Sequence, residues 1–325
     1  MNFPTPSRRA LLSCGAAMLA CGSASAQSPI GGTITLYVPF TPGTGIDMCA
    51  RLIGEELKQR WQQSVIVENR PGVSGNLGTM HAASQPPDGH ALMVTANTFV
   101  MNASLFKSLP YDPHESFAPI VLIATGSLAL VVGKGFPART VDEFVVHARS
   151  NPSKVNYATP GRGTPQHLAM ELFAQTAGIA LNHVPYSGSA GAVRDLLSGH
   201  VDAMFMPLHT ALPLVVAKQL VILAIGSEKR SPLALEVPTL LESNVKDFAV
   251  DLWYALLSPS GMTRALVLRF NAEINAILQS SEVARTLATQ GLTPAGGPPD
   301  RLADLMAKDQ VRWSEVVKRA GITAE

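Results

Sequence analysis

The chain has 325 residues, 25 lysines and arginines against 24 aspartates and glutamates, and a 46% hydrophobic fraction beside only 15% charged residues. That length suffices for a large core, and a near-neutral charge without basic runs excludes the long-range field of a nucleic-acid binder, leaving small ligands or protein partners. Only Cys49 lies beyond the N-terminal leader, which excludes an internal disulfide framework.

The leader comes first. Arg8 and Arg9 precede an apolar run over residues 10–20, and Ala24-Ser25-Ala26 supplies the small residues that a signal peptidase requires. Residues 1–26 therefore read as a signal peptide, with a mature chain starting at Gln27 in the periplasm. "SRRALL" suits a twin-arginine route as well as the general secretory one, and Cys21 in "LACG" offers a lipoprotein anchor that Met18 and Leu19 fit poorly. Without the two leader arginines the balance is 25 − 2 = 23 basic against 24 acidic residues. The longest later apolar run, 120–132, is broken by Thr125, Gly126 and Ser127, so a water-soluble mature chain is predicted.

Strands are predicted at 34–40, 65–68, 91–96, 120–124, 128–132, 155–158, 181–185, 201–206, 221–225 and 254–257, with helical patterns between most of them. Such alternation predicts an α/β fold of mainly parallel sheets flanked by helices. In the first helix Ile46, Cys49, Ala50, Ile53, Leu57 and Trp61 form the apolar stripe, while Asp47, Arg51, Glu55, Lys58 and Gln59 take the other face. Cys49 reads as a small buried apolar residue.

Two blocks of alternating elements predict two lobes: residues 27–133 and 246–325 form the first, discontinuous lobe, and 134–245 the second. The chain is expected to cross at 133–140 and return at 242–248. The helical tail, with its stripe Leu302, Leu305, Met306, Trp313, Val316 and Val317, is expected to pack on the first lobe.

Two glycine turns carry the chemistry. "YVPFTPGTGIDMCARLIGEEL" runs from strand through Gly43-Thr44-Gly45 into a helix, but Met48 stands where a dinucleotide fingerprint needs its third glycine. Asp47 in the first helical turn complements the helix dipole and makes a diphosphate unwelcome. "VNYATPGRGTPQHLAMELF" repeats the arrangement through Gly161-Arg162-Gly163, with Thr164 as N-cap and Pro165 at the first helical position. Each helix N-terminus exposes amide N–H groups that suit a carboxylate. In "HVPYSGSAGAVRDLLSGHVD", Ser187, Gly188 and Ser189 precede a further helix, as caps or as ligand contacts, and Tyr186 either closes a pocket or ends a strand.

Enzyme readings find little support. "SGSAG" departs from G-x-S-x-G at its first position. His167 and Glu171 share a helical face without a second ligand cluster, so His167 reads as a cap or pocket-edge residue and no metal site is expected. His81, His90 and His114 stand alone, and Cys49 has no activating neighbour.

Long segments resemble the substrate-binding receptors of tripartite tricarboxylate transporters, the Bug or TctC family. They include "VPFTPGTGIDMCARL", "VIVENRPGVSGNLGTMHAASQPPDGHALM", "ATPGRGTPQHLAMELF", "HVPYSGSAGAVRDLLSGHVDAMF" and "ARTLATQGLTPAGGPPDRLADLMAKDQVRWSEVVKRAGI". The resemblance implies a two-lobed periplasmic-binding-protein-like (type II) fold without enzymatic activity or cofactor. It further implies a monomer that binds a small carboxylate (an organic acid, acidic amino acid or nicotinate-like acid) for a membrane permease. A sensor that signals to a receptor kinase is the alternative, and a periplasmic hydrolase a more distant one. Carried over by position, the ligand-binding residues are Phe40, Gly43, Thr44, Gly45, Ile46 and Asp47 in the first turn, and Thr159, Gly161, Gly163, Thr164 and His167 in the second, with Asn97, Tyr186 and Gly188 beside them. The first turn departs from the family's "PPGG" at Thr41 and Thr44.

Overall fold

A computed structural model describes residues 30–186 and 188–323 of the chain. The expected signal peptide, Cys21 and Ser187 lie outside these residues. Among the described residues no helix is long and apolar enough to cross a membrane.

The elements follow one another as β1 (Ile34–Val38), α1 (Gly45–Trp61), β2 (Val65–Asn69), α2 (Asn76–Ala83), β3 (Ala91–Ala96), α3 (Thr98–Leu105) and β4 (Phe117–Gly133). Next come α4 (Val141–Ser150), β5 (Asn156–Thr159), α5 (Pro165–Ala177), β6 (Asn182–Pro185), α6 (Ser189–Ser198), β7 (Ala203–Pro207), α7 (Leu208–Val216) and β8 (Leu220–Ile225). The chain closes with β9 (Asp251–Pro259), α8 (Arg264–Leu278), α9 (Ser281–Thr289), β10 (Leu292–Pro294) and α10 (Pro299–Ala320).

The strands run β2-β1-β3-β9-β4-β7-β5-β6, with β8 and β10 also on β4. Pairing is parallel at both ends, β1 with β2 and β3, and β5 with β6 and β7. It is antiparallel throughout the middle, where β9 and β4 meet. Each lobe is thus parallel at its outer end and antiparallel at the centre, where β9 runs against both β3 and β4.

β4 is one strand of 17 residues, not the two short ones expected. Thr125, Gly126 and Ser127 interrupt hydrophobicity but not extension, since small polar residues in a strand keep their ladder bonds. Up to Ser127 the strand pairs with β9, and from Leu128 to Gly133 with β7 and β8. Ser127 lies opposite Asp251, the first residue of β9, so the chain changes strand partners at one level in both directions. The expected crossing at 133–140 is instead a turn and the capping box of α4 at Thr140 and Glu143. The expected return at 242–248 lies inside the second lobe's core through Val245 and Phe248. Ser227 Oγ donates to Asp251 and stands 2.8 Å from Ser127 Oγ, linking both crossing strands.

The expected α1 stripe is buried, Cys49 at 0% exposure, and burial pushes its thiol up to about 12. α10 corrects another expectation. Leu302 and Met306 pack in a first-lobe cluster with Trp253, but Trp313, Val316 and Val317 join the second-lobe core with Phe144, Phe173 and Phe205. At about 1.5 Å per residue, a helix of 22 residues is long enough to span the junction. Gln175 of α5 donates to Val316 O at 3.2 Å and fastens its far end.

Trp313 is 1% exposed and Val311, on the opposite side of α10, 63%. Urea denaturation of Trp313→Ala should show a loss of about 3–5 kcal/mol, against less than about 0.5 kcal/mol for Val311→Ala. Equal effects would contradict the tail's docking on the second lobe.

Candidate functional site

The two glycine turns are one motif built twice. Thr44 caps α1: its Oγ1 accepts from the Asp47 N–H at 3.4 Å and donates to Thr41 O at 3.1 Å. Thr164 caps α5 in the same way, accepting from the His167 N–H at 3.4 Å and donating to Gly161 O at 2.8 Å. One residue before each cap, Gly43 and Gly163 have φ of 82° and 73°, a region that favours glycine. The Gly43 N–H donates to Asp47 Oδ2 at 2.9 Å, and the Gly163 N–H to His167 Nδ1 at 3.0 Å.

The structural equivalents are therefore Gly43 with Gly163, Thr44 with Thr164 and Asp47 with His167. Sequence spacing instead suggests pairing Gly43-Thr44-Gly45 with Gly161-Arg162-Gly163. The amides of Gly43 and Gly163, expected at the ligand, are occupied within their own turns. Asp47, expected on the outer face of α1, is 3% exposed. It also accepts from Arg51 Nε at 3.0 Å and Asn69 Nδ2 at 2.9 Å. Burial alone would raise its pKa, but Arg51, the Gly43 N–H and Asn69 together hold it below the usual carboxylate range. These side chains shape the turns.

The free donors lie one step further on. Gly45 and Ile46 are the first two residues of α1, where N–H groups have no acceptor within the helix. In α5 the first position is Pro165, which has no N–H, leaving Gln166. Tyr254 of β9 adds a donor that the sequence did not reveal. A Cβ on Gly45 would lie 2.6 Å from its hydroxyl oxygen, and among the described residues that hydroxyl has no protein partner. Only the register of β9 against β3 and β4 brings it there.

Sheet topology aims the two turns at each other. β1 is parallel to β3, and β3 and β4 are each antiparallel to β9, so β1 and β4 run the same way. β7 is antiparallel to β4 and parallel to β5, so β5 runs against them. The turn after β1 therefore points toward the second lobe and the turn after β5 toward the first. Extending the registers places Phe40 level with Ala124 and Gly161 level with Leu128 on β4. Four residues of strand separate those levels, about 13 Å. A Cβ on Gly163 would come 2.9 Å from Leu105, so the second turn already touches α3 of the first lobe.

Behind the second turn lies a ring stack. His167 and His183 are 4.0 Å apart at 16°, and Tyr157 covers His183 at 4.8 Å. His183 Nε2 is 2.7 Å from Thr159 Oγ1, and the Tyr157 hydroxyl donates to Glu171. Burial, with the nearby His183 and Arg162, pushes His167 down to about 3; burial and Arg162 push His183 down to about 4. Among the described residues no group of three or more His, Cys, Asp or Glu side chains forms a metal site.

The remaining expected residues are dispersed around this pair. Phe40 is half-buried, and a Cβ on Gly75 would meet its ring at 3.0 Å. Tyr186 donates its hydroxyl to Asp195 at 2.7 Å, so its polar end is engaged within the second lobe. The Gly188 N–H donates to Pro160 O at 2.8 Å and braces the second turn from behind. Asn97 is 1% exposed; its amide donates to Asp251 O at 3.3 Å, and its Oδ1 has no partner.

The stack gives a pH dependence with a definite sign. His167 is protonated in the unfolded chain below about 6.5 but stays neutral when folded until about 3. Its contribution is fully present above pH 6.5 and is lost as pH falls, about 2 kcal/mol at pH 5. Asp251, which burial pushes up to about 6, opposes part of that trend. Denaturation of His167→Gln at pH 7 and pH 5 should show a smaller acid loss than the native chain; an unchanged difference would contradict a neutral, buried His167.

The family model described as the tripartite tricarboxylate transporter family receptor, TctC, matches residues 49–322. The chain is 36% identical to a UPF0065 protein in the tcbD-tcbE intergenic region of a Pseudomonas species, covering 87% of this chain and 85% of that one. It is 33% identical to BugT of Bordetella pertussis, with 89% of each covered. An R. palustris protein solved with adipate superposes at a TM-score of 0.78 with 32% identity, covering 91% of this chain and 99% of that one. MatC of Rhodopseudomonas palustris, solved with bound malate, gives 0.75 and 30%, covering 89% and 100%. These relatives are solute-binding receptors rather than enzymes. With two lobes, a matching family model over most of its length and relatives above 30% identity, this chain belongs to the TctC family of tripartite tricarboxylate transporter receptors.

Proposed function

We propose that this chain is a periplasmic receptor that closes its two lobes on a small carboxylate and delivers it to the membrane permease of a tripartite tricarboxylate transporter. The observation that carries the reading is the facing pair of capped turns, whose amides at Gly45, Ile46 and Gln166 have no helical acceptor. Removing a carboxylate from water is costly unless donors replace its hydration. Two helix N-termini, each equivalent to about half a positive charge, and the Tyr254 hydroxyl provide such donors without requiring a buried cation.

In this reading the lobes divide on β4 and β9 at the level of Ser127 and Asp251, with α10 lying across the junction, and they rock about that level. Closure is driven by the ligand's higher affinity for the closed form, where both turns reach it at once. Thr44, Thr164, Asp47 and His167 hold the turns in shape, while Phe40, Ile46, Thr159, Gly161, Tyr186 and Gly188 form the surroundings. Asn97 Oδ1, buried without a partner, would take a bridging water at the cleft floor. The adipate and malate of the two solved relatives support the carboxylate class, and the leader supports export.

Calorimetric titration of the mature protein with adipate, malate and NAD tests this reading. One of the acids should bind and NAD should not. Gly45→Ala sets a methyl against the Tyr254 hydroxyl at the donor cluster. It should weaken acid binding by roughly tenfold or more, the worth of one charge-assisted hydrogen bond. Binding of NAD alone, or undiminished acid binding by Gly45→Ala, would overturn it.

A further inference from the structure

We infer that Arg162 is a specificity residue that recognises a second negative charge on the ligand, so that the receptor discriminates dicarboxylates from monocarboxylates of equal chain length. The inference rests on the carboxylate reading above and assigns to one side chain what the backbone donors leave open.

The argument is the asymmetry of a duplicated motif. With Gly43 equivalent to Gly163, the residue before it is Pro42 in the first turn and Arg162 in the second. The first turn offers two free helical N–H groups, Gly45 and Ile46, together with the Tyr254 hydroxyl. The second has Pro165 at the equivalent of Gly45 and so lacks one N–H. The donor-poor turn is the one that carries a guanidinium, a group suited to a carboxylate through two parallel N–H bonds.

Charge balance points the same way. Near the first turn Arg51 is held by Asp47 at 3.0 Å, so that cation is neutralised within the protein. Arg162 is exposed, and among the described residues it has neither an ion pair within 4.0 Å nor a hydrogen bond. Glycines with φ of 153° and 73° flank it and fix the course of the backbone from which the side chain leaves. The adjoining Gly163 lies against Leu105, a Cβ there coming 2.9 Å from that side chain, so the turn that carries Arg162 faces the first lobe. The carboxylate beside the stack, Glu171, accepts from the Tyr157 hydroxyl and makes no ion pair with Arg162, which leaves the guanidinium for a ligand carboxylate.

The test compares adipate with hexanoate, which share a six-carbon chain and differ by one carboxylate. In calorimetric titrations at low salt the native protein should bind adipate at least tenfold more tightly than hexanoate, and the ratio should shrink as salt is raised. Arg162→Gln should weaken adipate by about tenfold and hexanoate by less than twofold, and Arg162→Lys should recover part of the difference. Circular dichroism should show both variants folded, since the side chain is exposed. If Arg162→Gln weakens both acids equally, or neither, the inference fails while the carboxylate reading stands. If the native protein binds adipate and hexanoate equally, it fails as well. If the native protein binds no carboxylate at all, the reading and the inference fall together.

Discussion

The structure depends on one hydrogen bond made twice: a glycine N–H just before a helix cap donates to the side chain at the third helical position. Gly43 donates to Asp47 and Gly163 to His167. Each bond occupies an amide that would otherwise point at solvent, and in return it fixes the turn so that the next amides project from its outer edge. An acceptor is needed at that position, and a carboxylate and a neutral imidazole both supply one. The imidazole accepts only while Nδ1 is unprotonated, which is why burial beneath His183 and Tyr157 matters.

The two acceptors have different surroundings because their charges differ. A buried Asp47 must be balanced, and Arg51, Asn69 and Gly43 converge on it from α1, β2 and the turn. His167 needs no counter-charge and sits in an aromatic stack instead. Neither arrangement sets an unbalanced carboxylate against the helix dipole at its turn. That condition is what makes a pair of N-termini useful to an anion. The sheet then supplies aim: β1 and β5 run in opposite senses on a shared β4, so their terminal turns face across the partner change at Ser127.

Much of this was legible in the sequence, for reasons that are local. Thr164-Pro165 is a cap followed by a first-position proline, and the three- and four-residue spacing from Ile46 to Trp61 declares a buried helical face. What was hidden was long-range. Asp47 looks like an exposed first-turn acid in the sequence because its partner Asn69 lies on β2, 22 positions away. Tyr254 comes beside Gly45 only through strand register. The stack of His183 on His167 follows from Tyr157 pairing with His183 across β5 and β6, which spacing along the chain cannot express. The apparent match of the two G-x-G triplets misled in the other direction, since cap geometry aligns them two residues out of step.

The sequence hides the continuity of β4 because Thr125, Gly126 and Ser127 break hydrophobicity at the place where two cores meet, and a gap between cores looks like a gap between strands. The stripe of α10 likewise shows what is buried but not against what, and so hides its contact with both cores. The claim that unites these parts is that backbone amides at both turns hold one organic acid. Its most direct measurement is amide-resolved NMR of the uniformly labelled protein titrated with adipate. The signals of Gly45, Ile46 and Gln166 should shift together and saturate at one ligand equivalent, with Gly43 and Gly163 moving less. Saturable binding that leaves Gly45, Ile46 and Gln166 unshifted would contradict it.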